Sequence, residues 1–161
     1  MISGLPLGRD RVEMRNASKD NASEGKLPID TMESILDSIP TTGLLVPNRM
    51  GMDAAIVPFE GETIFCFSRV AYGLEGEKGT ADRVISALEQ SAAKFGNIIV
   101  IDPVVLFPPG LSIDYIRKVV LGVAEAARNH GITVGKGHTE ITSKVNETTL
   151  IATVLGSMNK Q

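Results

Sequence analysis

Apolar residues along this chain recur at two different spacings, and each change of spacing marks a boundary between elements. PIDTMESILDSIP (28–40) sets Ile29, Met32, Ile35, Leu36 and Ile39 three or four residues apart, the period of one helical face, with Pro28 suited to a first turn and Pro40 to a stop. A short amphipathic helix is predicted there. The β-branched and aromatic runs AAIVPF (54–59) and TIFCFS (63–68) flank Glu60-Gly61-Glu62, a connection of hairpin length, and predict two adjacent strands. Helical spacing returns with Val84, Ile85, Leu88, Ala92 and Phe95, where Thr80 is placed to cap the start and Gly96 to close the end. NIIVIDPVVLF (97–107) reads as a long buried strand in which Pro103, lacking an N–H, predicts a bulge or an edge position at Asp102-Pro103. Ser112 then caps a second long helix carrying Ile116, Val119, Val120, Val123 and Ala124 and ending at Asn129-His130-Gly131. ITV (132–134) and TTLIATVLG (148–156) supply two further strands.

Long helices interleaved with a strand hairpin predict an α+β domain, with helices layered on one face of a mixed sheet. Residues 1–25 mix Arg, Asp, Glu, Asn and Ser without either period, so they predict a flexible tail and leave 26–161 as a single domain. A length of 161 residues with 43% hydrophobic and 22% charged content suits one domain with a real core. The net charge of −3 and a pI near 5.4 give no diffuse basic field, so nucleic acid is not an expected partner and any anionic ligand has to be held locally. Apolar stretches fall far short of the roughly 18–20 residues that span a bilayer, and MISGLPLGRDRVEMRN places charges where a secretion signal needs apolar residues. A cytoplasmic protein without membrane contact is expected. The single cysteine, Cys66, excludes an intramolecular disulfide and a multi-cysteine metal site, and within TIFCFS it reads as a small core residue.

Two stretches carry candidate chemistry. In TVGKGHTEIT (133–142), Gly135 and Gly137 permit positive φ or close backbone approach, and Lys136 between them adds a compact cation that suits phosphate. His138 and Thr139 bring side-chain donors, and Glu140 is able to bind a ribose hydroxyl, a metal ion or a catalytic water. The spacing matches neither a Walker loop nor GxGxxG after a strand, so a tight structural turn and a ligand loop both remain open. In GMDAA (51–55), Asp53 stands at the mouth of an apolar strand, where it serves either as a ligand of nucleotide-bridged Mg²⁺ or as a turn residue. His130 reads as a helix C-terminal residue interacting with the dipole rather than a metal ligand.

Taken in order, GKLP (25–28), GMDAAIV (51–57), LFPPG (106–110), GKGHTEIT (135–142) and TVLG (153–156) resemble the N-terminal domain of the aminoimidazole ribonucleotide (AIR) synthase-related, or PurM-like, superfamily. Within it, the motif pattern is similar to that of the hydrogenase maturation factor HypE and its relatives. The resemblance implies an ATP-binding α+β domain that forms a homodimer through a shared β-barrel, with ATP and Mg²⁺ near the dimer cleft and a second domain or partner needed for ATP-dependent substrate activation. It places Asp53 at the metal-binding aspartate and Gly137, His138, Thr139 and Glu140 in the loop near the nucleotide, with Gly135 and Lys136 just before it. Three departures accompany it. Arg69 stands where relatives carry a metal-binding aspartate, which repels Mg²⁺ and offers a guanidinium to phosphate instead. An Asn-Asp pair expected on the next helix is replaced by Glu89-Gln90, and the chain stops where relatives continue into a second α/β domain. These departures motivate the alternative of a non-catalytic homodimeric scaffold or regulatory module that no longer binds nucleotide.

Overall fold

The computed structural model describes residues 27–47, 49, 51–76 and 79–158. The predicted tail at 1–25 lies outside them. The described elements run α1 (Ile29–Ser38), β1 (Ala55–Phe59), β2 (Glu62–Ala71), α2 (Thr80–Ala92), β3 (Gly96–Phe107), α3 (Ile113–Asn129), β4 (Thr133–Val134), β5 (His138–Ile141) and β6 (Thr149–Met158). The strands form one 6-stranded sheet in the order β1-β2-β6-β3-β4, with β5 also on β3. It is mixed, as predicted: β1, β2, β6 and β3 pair antiparallel, and β4 and β5 run parallel to β3.

The β1–β2 hairpin turns on Glu60 and Gly61, with φ of 48° and 82°. Both central residues being left-handed is the primed geometry whose twist matches the flanking strands. Alternation then sorts the sheet into two faces. Phe65, Phe67, Ile101, Val105, Phe107 and Val154 point to one face and are buried there under Ile85, Leu88, Val119 and Val123 of α2 and α3. Ile64, Cys66, Ile151, Leu155, Val104 and Leu106 occupy the alternate positions and are only half-buried, because no described element covers that face. Cys66 therefore sits on the open face, not in the core as predicted from its apolar neighbours. Burial still pushes its thiol pKa up.

Several boundaries shift for local reasons. Gly79, at φ 101°, and not Thr80, is the N-cap of α2, and its carbonyl accepts from Arg83 N–H at 3.0 Å. The helix ends at Ala92, so Gly96 opens β3 instead of closing α2. Ser112 does cap α3, accepting from Tyr115 N–H at 3.2 Å. The bulge in β3 falls between Ile98 and Val100, whereas Pro103 stays in register with Ala152. Its missing donor is tolerated because β4 ends opposite Ile101 and β5 begins opposite Val104, leaving a gap in pairing on that edge. The first helix forms as predicted but contributes no buried residue; Ile29 and Ile35 are 63% and 42% exposed, and Met32 and Leu36 are half-buried.

The seam between α2 and α3 is polar at its rim. His130, at the C-cap of α3, lies 2.5 Å from Glu89 Oε2 through Nδ1 and 3.1 Å from Asp82 Oδ1 through Nε2. Hydrogen bonding to Glu89 first, and then to Asp82, raises its pKa above the ordinary imidazole value. A raised folded-state pKa adds stability that is complete below the unfolded value of about 6.5 and disappears as pH climbs through the folded one. The melting temperature of the wild type is thus expected to fall across that window relative to His130→Asn, whose curve lacks this component. Parallel curves for the two proteins would show that the bridge does not couple to folding.

Candidate functional site

The chain before β1 delivers Asp53 to the helix-covered side of the sheet. There its Oδ2 lies 2.6 Å from Lys94 Nζ, just beyond α2, and 3.9 Å from an Arg69 terminal nitrogen on β2. Arg69 shares the parity of Phe65 and Phe67, so its stem runs along the core face while its guanidinium lies 5.8 Å from the Phe67 ring centre; Lys94 Nζ lies 5.0 Å above Phe95. The three side chains are 44–51% exposed, so solvent screens the pairs and they stabilise the fold little. Two cations converging on one solvent-facing carboxylate leave a net positive cluster able to meet an anion.

The GKGHTE segment lies elsewhere. Gly135 N–H extends the β4 pairing by donating to Ile101 carbonyl at 2.7 Å, and the Asp102 carboxylate accepts from Gly137 N–H at 2.8 Å. A Cβ on Gly135 would stand 2.7 Å from Asp102 Oδ1, and one on Gly137, at φ 65°, would stand 2.6 Å from the Pro103 carbonyl oxygen. Both glycines are thereby explained by packing onto β3 across the gap at Pro103. Asp102 neither ends the strand nor leaves it for a ligand cleft; it staples this crossing. Asp102→Ala should free the Gly137 amide, at a cost of about 0.5–1.5 kcal/mol, and hydrogen exchange at Gly137 that stays as slow as in the wild type would refute the staple.

After the crossing, His138–Ile141 is a strand and not the loop its polar residues suggest, because the exposed edge of β3 at Val104–Phe107 offers a parallel ladder to β-branched Thr139 and Ile141. Register with Val104 and Leu106 turns His138 and Glu140 to the open face, with His138 Nε2 3.4 Å from Glu140 Oε2. Lys136, His138, Thr139 and Glu140 are exposed.

Within one chain the two candidate clusters do not meet. Asp53 precedes β1, and β5 lies four strand spacings away, about 19 Å, with its polar pair on the other face. Glu89 is turned to His130 rather than toward Asp53, so it does not stand in for the expected aspartate beside Arg69. Among the described residues no three His, Cys, Asp or Glu side chains are grouped to hold a metal. Lys94 is the participant that the sequence pattern did not single out; only the β2–α2 packing shows that it reaches Asp53. No described helix is long and apolar enough to cross a membrane.

No protein-family profile matches this chain, and no curated protein does. Solved structures do match. PurLQS from Thermotoga maritima superimposes with a TM-score of 0.62 at 14% identity, over 86% of this chain and 27% of that one. AaThiL complexed with AMPPCP and TMP gives 0.59 at 16% identity, over 80% and 40%, and HypE in the HypE–HypF complex gives 0.51 at 14%, over 65% and 36%. The chain thus spans less than half the length of each of these proteins. Similarity at this level establishes architecture, and the sheet order, the helix layer on one face and these superpositions together assign the chain the fold of the N-terminal domain of AIR synthase-related, PurM-like proteins.

Proposed function

We propose that this chain is the nucleotide-binding part of a homodimeric PurM-like protein, with ATP phosphates held by Arg69 and Lys94 beside Asp53, and with substrate activation depending on a second domain or a partner protein. The observation that carries this reading is the convergence of Arg69 and Lys94 on Asp53 at the mouth of β1. A guanidinium on a sheet strand and an ammonium on the turn that follows α2 recognise phosphate oxygens directly. The AMPPCP bound by AaThiL supports a nucleotide as the anion. Mg²⁺ fits less well. A hard divalent cation takes six or more oxygens, whereas Asp53 brings one carboxylate already facing two cations. The reading is accordingly one of phosphate held by side-chain cations.

Assembly gives the GHTE segment a neighbour on the open face. The open face, with Cys66, Leu155, Val104 and Leu106, is a broad apolar surface of the kind that pairs with a copy of itself. In a two-fold pairing whose axis runs along the strands, β5 of one copy faces β1 of the other. His138 and Glu140 then lie over the open side of the neighbouring copy's β1 edge, with that copy's Asp53, Arg69 and Lys94 on the other, helix-covered side of the same sheet.

Titration calorimetry with AMPPCP tests this. Saturable binding is expected without Mg²⁺, weakened about tenfold or more by Arg69→Ala, since hydrogen bonds to charged groups contribute about 1.5–3 kcal/mol. Unchanged affinity in Arg69→Ala would remove the residue from the site. A second reading, a scaffold that binds no nucleotide, is favoured by the packing of Gly135 and Gly137 onto β3, which explains both glycines without a ligand. It predicts that millimolar AMPPCP leaves the melting temperature unmoved while the dimer persists, because a ligand binding only the native state has to raise it.

A further inference from the structure

Helix α2 turns three stripes to three surroundings. Ile85, Leu88 and Ala92 meet the core, and Asp82 and Glu89 meet His130. The remaining stripe, with Arg83, Val84 and Ala87, faces β2 across an open groove of about 370 Å³, floored by Ala71 and Ala152. That volume falls within the usual range for small-molecule sites, about 300–1,000 Å³. The groove lining is mainly apolar, and its two charged residues are cationic: Arg69 from the β2 wall and Arg83 from the α2 wall. Its other polar groups offer less: the Ser91 hydroxyl donates to the Ala87 carbonyl at 2.9 Å. Arg83 has no acidic partner among the described residues.

We infer that this groove binds a small organic oxyanion, with its apolar body between α2 and β2 and its phosphate or carboxylate between the Arg69 and Arg83 guanidiniums. Charge complementarity selects the occupant: an uncharged apolar molecule leaves Arg83 without a counter-ion and Arg69 with only the Asp53 carboxylate it shares with Lys94, and a cation is repelled by both arginines. The inference rests on the reading of Arg69 as an anion-binding residue, but requires neither Asp53 nor a nucleotide. A phosphate ester and a carboxylate offer the same oxygens to a guanidinium fork, so the choice between them is left to the titration.

The test is titration of the whole chain with 1-naphthyl phosphate, 1-naphthoate and the uncharged 1-naphthylmethanol, followed by calorimetry and by amide shifts along residues 83–91. At least one anion should bind saturably and move those amides, with the alcohol at least about tenfold weaker; the tighter anion identifies the oxyanion. Arg83→Ala should lower that affinity about tenfold. Ala87→Leu, at an exposed helical position where it leaves the fold intact, should block the groove. AMPPCP binding should be unaffected by either substitution. Equal binding of the alcohol, or anion affinity indifferent to both substitutions, overturns the proposal, and so does movement of these amides with protein concentration alone, which would give the groove to a second copy. Naphthyl phosphate binding without AMPPCP binding would defeat only the nucleotide reading, and the reverse result would defeat only the groove.

Discussion

Phe65→Ala is expected to remove about 3–5 kcal/mol from the stability of this fold, a large share of the roughly 5–15 kcal/mol that keeps a domain folded. The ring is fully buried, lies parallel to Phe67 at 6.2 Å between centres and leans on Phe95 at 5.5 Å, so its removal opens a cavity at the junction of β2, β6 and the start of β3. Gly156, its partner across the β2–β6 ladder, makes room for it. A Cβ there would stand 2.2 Å from Phe65 Cζ and 2.4 Å from the Asn97 carbonyl oxygen. Gly156→Ala should therefore cost about 1–3 kcal/mol or more by overpacking. Combining it with Phe65→Leu relieves the ring contact but not the backbone one, so rescue is incomplete. Urea denaturation of the four proteins measures this, and a Gly156→Ala change within about 0.5 kcal/mol, the range of an ordinary surface substitution, would contradict the packing described.

Leu155→Lys is expected to turn the proposed dimer into monomers while leaving the monomer folded. Leu155 lies between Cys66 and Val100 on the open face and is only half-buried in one chain, so a lysine there reaches solvent until a second copy covers it. Each ammonium then buried without a partner costs about 3–5 kcal/mol, and a two-fold contact incurs the cost in both copies. The dimer dissociation constant should rise by at least about four orders of magnitude, read by light scattering across a dilution series. Cys66 gives a second readout: its alkylation should be slow in the wild type and fast in Leu155→Lys. A wild type that is monomeric at high concentration, or a variant that remains dimeric, rules out this face as the interface.

The long helices, the hairpin and the buried strands were legible because their periods are unambiguous: Val119 and Val123 on one helical face and Phe65 and Phe67 on one strand face are where their spacing puts them. Positions decided by a neighbour in space were not. HTEI carries no apolar alternation, and only the unpaired edge of β3 makes it a strand. Pro103 looks like a break until the gap between β4 and β5 is seen opposite it. Cys66 has core-like neighbours in sequence but belongs to the other face by parity, which no composition reveals. Asp53 and Arg69 were both visible as candidates, yet Lys94, 41 residues along the chain from Asp53, joins them only through packing. The motif order that singled out GKGHTE could not show that its glycines are held by Asp102 and Pro103.

The broken pairing along β3 also bears on aggregation. A 12-residue, largely apolar strand would be an inviting template for another chain if its outer edge ran free. Two short strands cover that edge instead, one of 2 residues and one of 4, separated by the stapled glycine crossing, and neither is long enough to seed an extended ladder. At the far side of the sheet β1 is 5 residues long, carries Pro58, and has its Ile56 carbonyl taken by Leu45 N–H at 2.8 Å. With both margins blunted, growth of the sheet strand by strand into a fibre is disfavoured, and the molecule is left to associate through its faces.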